Sequence, residues 1–159
     1  MPHYMSTHER GGHSARPPQG PSRRDGRQSS TIDTSKIVFG AKIDPKLYSD
    51  IAEAAAKDVG HDCARDHNKP SQLRRFYDEL IMLQTRVGSS SERFEQNQPF
   101  IQMLKAKVAY AEGRKKVDNR FATLLRRVVD QSKDSHTLKQ ARLFMEAFMA
   151  FYKIHGPRD

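Results

Sequence analysis

The sequence predicts an all-α protein, a compact bundle of five or six helices over residues 36–159 behind a disordered tail of residues 1–35. Three observations carry that expectation. Beyond residue 45, apolar residues recur in stretch after stretch at the i, i+3, i+4, i+7 spacing that lines one face of a helix. No segment sustains an alternation of apolar and polar residues between hairpin turns, and no internal repeat is present. Gly, Pro and Ser punctuate the chain where the helical stretches stop and start.

A chain of 159 residues has room for one ordinary domain. Hydrophobic residues nevertheless make up only 36%, and mean hydropathy is −0.82. The polar excess gathers in residues 1–35, which hold Pro2, Pro17, Pro18 and Pro21, scattered Arg (Arg16, Arg23, Arg24, Arg27) and almost nothing apolar. Such a segment buries too little surface to offset its ordering entropy. Its arginines would add weak attraction for RNA, or the tail has no role. The single cysteine, Cys63, rules out an internal disulfide and suits a reducing cytoplasm. With no apolar run of membrane-spanning length and no secretory signal, the protein is expected to be soluble and cytoplasmic.

Each helix has its own signature. Ile37, Val38 and Phe39 form an apolar patch, after which Asp44 and Pro45 supply a cap and a first-turn proline for a helix from Pro45 to about Val59. Leu47, Ile51, Ala54 and Ala55 would face inward and Gly60 would end it. A second helix opens at Asn68-Lys69-Pro70-Ser71-Gln72 and runs to Val87 and Gly88, with Leu73, Phe76, Tyr77, Leu80 and Val87 at helical spacing. Glu92 to Gln96 reads as a short third helix that Asn97 and Pro99 break. Next comes Phe100 to about Gly113, with Ile101, Leu104, Val108 and Ala111 in one stripe and Lys107, Tyr110 and Arg114 in another. A helix from about Lys116 to Gln131 carries Val117, Phe121, Leu124, Leu125, Val128 and Val129 inward and places Arg120, Arg126 and Arg127 outside. The last, Ser135 to His155, presents Leu138, Ala141, Met145, Phe148 and Tyr152, with Phe144 and Phe151 beside them. An apolar face this wide suits a central helix, or one that also meets a neighbouring subunit.

The charge is uneven. The formal net charge is +9, and Pro99 to Arg142 holds eleven Lys and Arg against four Asp and Glu, an excess of seven. Basic character so concentrated attracts polyanions such as nucleic acid, anionic lipid or an acidic protein. A stripe of Lys107, Tyr110 and Arg114, positive charge around an aromatic ring, fits a helix laid along a nucleic-acid backbone. It is equally what a solvated amphipathic helix shows. The start of the second helix would suit a phosphate, because free N–H groups near Ser71 and Gln72 lie close to Lys69, Arg74 and Arg75. Pairing of those arginines with Asp78 and Glu79 is the simpler alternative.

Catalytic constellations are missing. There is no glycine-rich phosphate loop, GxSxG elbow or HExxH. His61, Cys63 and His67 share one segment without the usual metal-site spacing, so a polar loop is the better reading and a metal-dependent enzyme the weaker one. His136 and His155 read as capping or surface residues, and no cofactor is expected.

Two segments, KPSQLRRFYDEL (69–80) and MLKAKVAYAEGRK (103–115), resemble the small subunit of type III-A CRISPR effector complexes, the Csm small subunit. QARLFMEAFMAFYK (140–153) is similar to that family's C-terminal end, whereas the tail before Ser35 is longer and richer in Arg than the family pattern. The resemblance implies a non-catalytic helical bundle whose copies stack inside a ribonucleoprotein filament. Its implied partners are guide RNA and target RNA, the backbone repeat subunit, the large polymerase-like subunit and further copies of itself. An A-form duplex hides its major groove, so a protein tracking it contacts phosphates and 2′-hydroxyls without reading sequence. Lys69, Arg74, Arg75, Lys105, Lys107, Tyr110, Arg114, Lys115 and Arg120 are the residues expected to touch RNA. The alternative is a helix-turn-helix DNA-binding regulator that reads bases with Lys116 to Arg127.

Overall fold

The computed structural model describes residues 31–159. A π-helical turn, Leu47–Ile51, leads into α1 (Ala52–Gly60), followed by α2 (Pro70–Val87), α3 (Ser91–Gly113), α4 (Asn119–Gln131) and α5 (Ser135–His155), with no strand among the described residues. The expected all-α bundle is what the chain forms. The expectation for residues 1–30 lies outside the described residues. Within 31–35, assigned from sequence to the tail, Ile32 is buried and joins the core.

α5 is the axis of the bundle. It packs against α1, α2 and α4, and Phe144, Met145, Phe148 and Tyr152 are fully buried along it. Phe148 stacks on Tyr152 with centroids 5.4 Å apart, while Phe121 of α4 bridges Phe148 to Phe76 of α2. The wide apolar face is therefore an intramolecular one. Asp134 starts α5 with a capping box, its carboxylate accepting from the Thr137 N–H at 2.7 Å. That bond holds the Asp134 carboxyl below its ordinary pKa. Asp134→Ala is expected to lower unfolding free energy by about 0.5–2 kcal/mol at neutral pH, read by denaturant titration.

Three features differ from expectation. The first is the register of α1. The Ile51 N–H reaches back to the Lys46 carbonyl at 3.1 Å, a five-residue step that advances the inward face by one position. Leu47, Ala52, Ala55, Ala56 and Val59 are buried, and Ala54 faces water. Gly60 ends α1 where the helix meets α5, and a Cβ there would lie 2.3 Å from the His155 carbonyl oxygen. Close approach, more than a helix stop, accounts for that glycine.

The second difference is α3. The two predicted segments, Glu92–Gln96 and Phe100–Gly113, are one helix that passes through Pro99. Ser90 caps it by accepting from the Arg93 N–H, and Phe94 anchors its first turns in the core. The carbonyl of Glu95, deprived of a donor by Pro99, lies on an exposed stretch, where the lost bond is open to solvent. The third is the start of α4, which falls at Asn119 instead of Lys116. Lys115 takes a positive φ of 59°, and the Lys116 N–H closes on the Ala111 carbonyl at 2.9 Å. Val117 is still buried, but in the connecting turn.

One residue ties these ends together. Asn68, fully buried with φ 53°, donates through Nδ2 to the Val59 carbonyl (3.2 Å) and accepts through Oδ1 from the Asp118 N–H (2.9 Å). Its own N–H donates to the Lys116 carbonyl and its carbonyl accepts from the Tyr152 hydroxyl at 2.6 Å. The start of α2 is thereby fixed beside the turn that carries Lys115 and Lys116.

Candidate nucleic-acid interface

α3 packs on α2 on one side and α4 on the other, and its basic residues divide accordingly. Lys107 reaches across to Glu79 of α2, whereas Lys105, two residues earlier, pairs with Asp130 of α4. Two residues on a helix are about 200° apart, so the two lysines serve different faces. Ile101, Leu104 and Val108 between them are fully buried.

On the α2 side lies an open groove of about 430 Å³, lined by Gln72, Arg75, Phe76, Lys107, Tyr110, Ala111, Arg114 and Lys116. Four cations line it and no carboxylate does. The Arg114 guanidinium sits 5.7 Å from the centroid of the Tyr110 ring and donates to its hydroxyl at 3.2 Å. Tyr110 is 67% exposed, so this ring is a platform in water and covers no core. Among the described residues Arg75, Arg114, Lys115 and Lys116 have no carboxylate partner, whereas Lys69 pairs with Asp66 at 3.0 Å and Arg74 with Asp78 at 3.8 Å.

The predicted residues therefore fall into groups. Arg75, Lys107, Tyr110 and Arg114 come together in the groove. Lys115 is exposed on the turn at its end, and Lys116, which sequence reasoning left out, enters the groove because the positive φ at Lys115 reverses the chain there. Lys69 and Arg74 lie apart from the groove lining, and Lys105 is on the α4 side. The phosphate-like position at the start of α2 holds the chain's own carboxylate. Asp159 accepts from the Ser71 N–H at 3.1 Å and from the Ser71 hydroxyl at 2.8 Å, bonds that keep its pKa below the usual value.

Arg120 is a correction. It was expected outside and on RNA, but it is 6% exposed. Its Nε and Nη2 donate to Asp118 Oδ2 at 3.0 and 2.8 Å, and Nη1 donates to the carbonyls of Asp58 and His61. With each of its three guanidinium nitrogens engaged, it is a rivet between α4 and the end of α1. Burial alone would raise the Asp118 pKa, yet hydrogen bonds from Asn68, Arg120 and the Phe121 N–H bring it below the ordinary value. Arg126 pairs with Glu112 at 3.2 Å, and Arg127 donates to the Ile37 carbonyl at 2.9 Å.

Among the described residues no three His, Cys, Asp or Glu side chains gather at metal-holding geometry. His61 pairs with Asp62, and Cys63 lies against the Gly60 carbonyl with its thiol pKa raised by burial. Among the described residues no helix is long and apolar enough to cross a membrane.

The family model described as Csm2 Type III-A matches residues 46–158, a span that holds all five α-helices and every groove residue. No curated protein and no solved structure matches the chain. The chain belongs to the Csm2 Type III-A family, and so is a small subunit of the type III-A CRISPR Csm complex.

Proposed function

We propose that this subunit binds RNA backbone without sequence specificity along the α2–α3 groove, and that it is a structural, non-catalytic member of the complex. The observation that carries the reading is the groove itself: Arg75, Lys107, Arg114 and Lys116 converge around one exposed tyrosine with no carboxylate in the lining. Cations in a row meet phosphates, and an aromatic face stacks any base equally well, so neither element discriminates sequence. The guide RNA and its target are the ligands in this reading, and the backbone repeat subunit, the polymerase-like subunit and further copies of the chain are the protein partners that build the filament.

The isolated protein is expected to bind single-stranded RNA weakly, equally well for scrambled sequences, and with affinity that falls steeply as added salt reduces the gain from releasing counterions. Fluorescence anisotropy at four or so salt concentrations with two scrambled RNAs and one DNA duplex reads this out. Tight, salt-insensitive binding to one duplex would refute it.

A further inference from the structure

The four groove cations are not equivalent. Arg75, Arg114 and Lys116 have no carboxylate partner among the described residues, but Lys107 is held across the helix interface by Glu79. Glu79 lies one turn beyond Arg75 on α2, with a side chain 24% exposed against 45% for Lys107. The pair is open enough to exchange partners and is worth little as a stabilising contact. We infer that Glu79 holds Lys107 in reserve, so that one of the groove's four cations contributes almost nothing to RNA binding until that carboxylate is neutralised.

The reasoning is an ion balance, and it rests on the groove reading above. When Arg75, Arg114 or Lys116 meets a phosphate, the counterion condensed on that phosphate is freed, and affinity gains the corresponding salt dependence. When Lys107 turns from Glu79 to a phosphate, the phosphate again frees its counterion. The abandoned Glu79 carboxylate, however, now attracts a cation from solution, and the net release is close to zero. Glu79 also places a negative charge beside the phosphate path, which repels the ligand it borders. It thereby limits affinity at the Lys107 end of the groove.

The test is a double-mutant cycle in the full chain with one single-stranded RNA, comparing wild type, Glu79→Gln, Lys107→Ala and the double variant, with Arg75→Ala and Arg114→Ala alongside. Affinity is measured over a range of salt, and melting temperatures establish that each variant is folded. Glu79→Gln should tighten binding about five-fold at low salt and steepen the plot of log affinity against log salt by about 0.7. Lys107→Ala should leave the wild-type slope unchanged and remove the added step in the Glu79→Gln background. The inference is overturned if Lys107→Ala alone flattens the slope by the full step. It is also overturned if Glu79→Gln leaves the slope unchanged while Arg75→Ala and Arg114→Ala flatten it. Should those two arginine variants also keep the wild-type slope, the groove reading itself fails and takes the inference with it.

Discussion

Arg120→Ala is expected to destabilise the bundle by about 3–5 kcal/mol, the cost of breaking a buried ion pair from one side. The Arg120 side chain is 8% exposed and that of its partner Asp118 23%, so water replaces little of what is lost. Removal leaves the Asp118 carboxylate without its charged donor, and the carbonyls of Asp58 and His61 without theirs. The loss is comparable to truncating a fully buried leucine such as Leu104, about 2–5 kcal/mol. pH dependence follows from the lowered pKa of Asp118. A depressed carboxyl pKa gives stability that is fully present above the unfolded value near 3.8 and fades as pH falls through the lower folded value. The wild type should therefore lose this contribution in that acid window, and Arg120→Ala should show a shallower acid transition. Denaturant unfolding at pH 7 and across the acid range measures both. A variant that melts with wild type and instead loses RNA affinity would return Arg120 to the RNA surface.

The burial of Arg120 was present in the sequence in a form that charge obscured. At helical spacing, residues 117, 120, 121 and 124 share one face, so Arg120 stands among Val117, Phe121 and Leu124. A carboxylate two positions before it was the sign that the charge had an internal partner. The same spacing located the core in α4 and α5, and in α2 apart from Leu83, which is fully buried and was left out, and Tyr77, which is only partly buried. It misplaced α1 because a π-helical turn advances the phase by one residue, and nothing local in Leu47–Ile51 announces the extra step. Pro99 was read as a break because a proline removes one hydrogen bond. The helix survives because the freed carbonyl faces water and Phe94 and Ile101 hold both sides of it in the core.

The candidate site was legible by element and not by pairing. Each basic stripe could be drawn on its own helix, and the meeting of Arg75 with Lys107, Tyr110 and Arg114 required the antiparallel register of α2 and α3. Which lysine finds a carboxylate is a property of that register too: Glu79 on α2 takes Lys107, and Asp130 on α4 takes Lys105. Lys116 was missed because its approach to the groove depends on the positive φ of Lys115, a conformation that a non-glycine residue adopts rarely and only where surrounding bonds enforce it. Those bonds run through Asn68, whose N–H holds the Lys116 carbonyl.

Within the assembled complex, replacing Arg75, Arg114 and Lys116 together with Ala should leave the subunit incorporated and weaken capture of target RNA. None of the three has a carboxylate partner among the described residues, and all are exposed, so the bundle loses no buried contact and thermal stability stays near wild type. On the proposed reading, what it loses is three phosphate contacts that carry uncompensated charge. Each should flatten the dependence of log affinity on log salt by about 0.7 to 0.9, so the triple variant loses about two to three units of slope. If the groove holds backbone as proposed, the deficit should be the same for every RNA sequence, because phosphate contacts carry no sequence information. Cleavage by the complex should persist at saturating RNA, since no group in the groove is asked to do chemistry. RNA binding by the purified complex over a range of salt, with subunit stoichiometry measured on the same preparation, decides the matter. A normal complex with an unchanged slope would place the RNA surface elsewhere on the bundle. A complex that lacks the subunit would identify this groove as the seat of a protein partner.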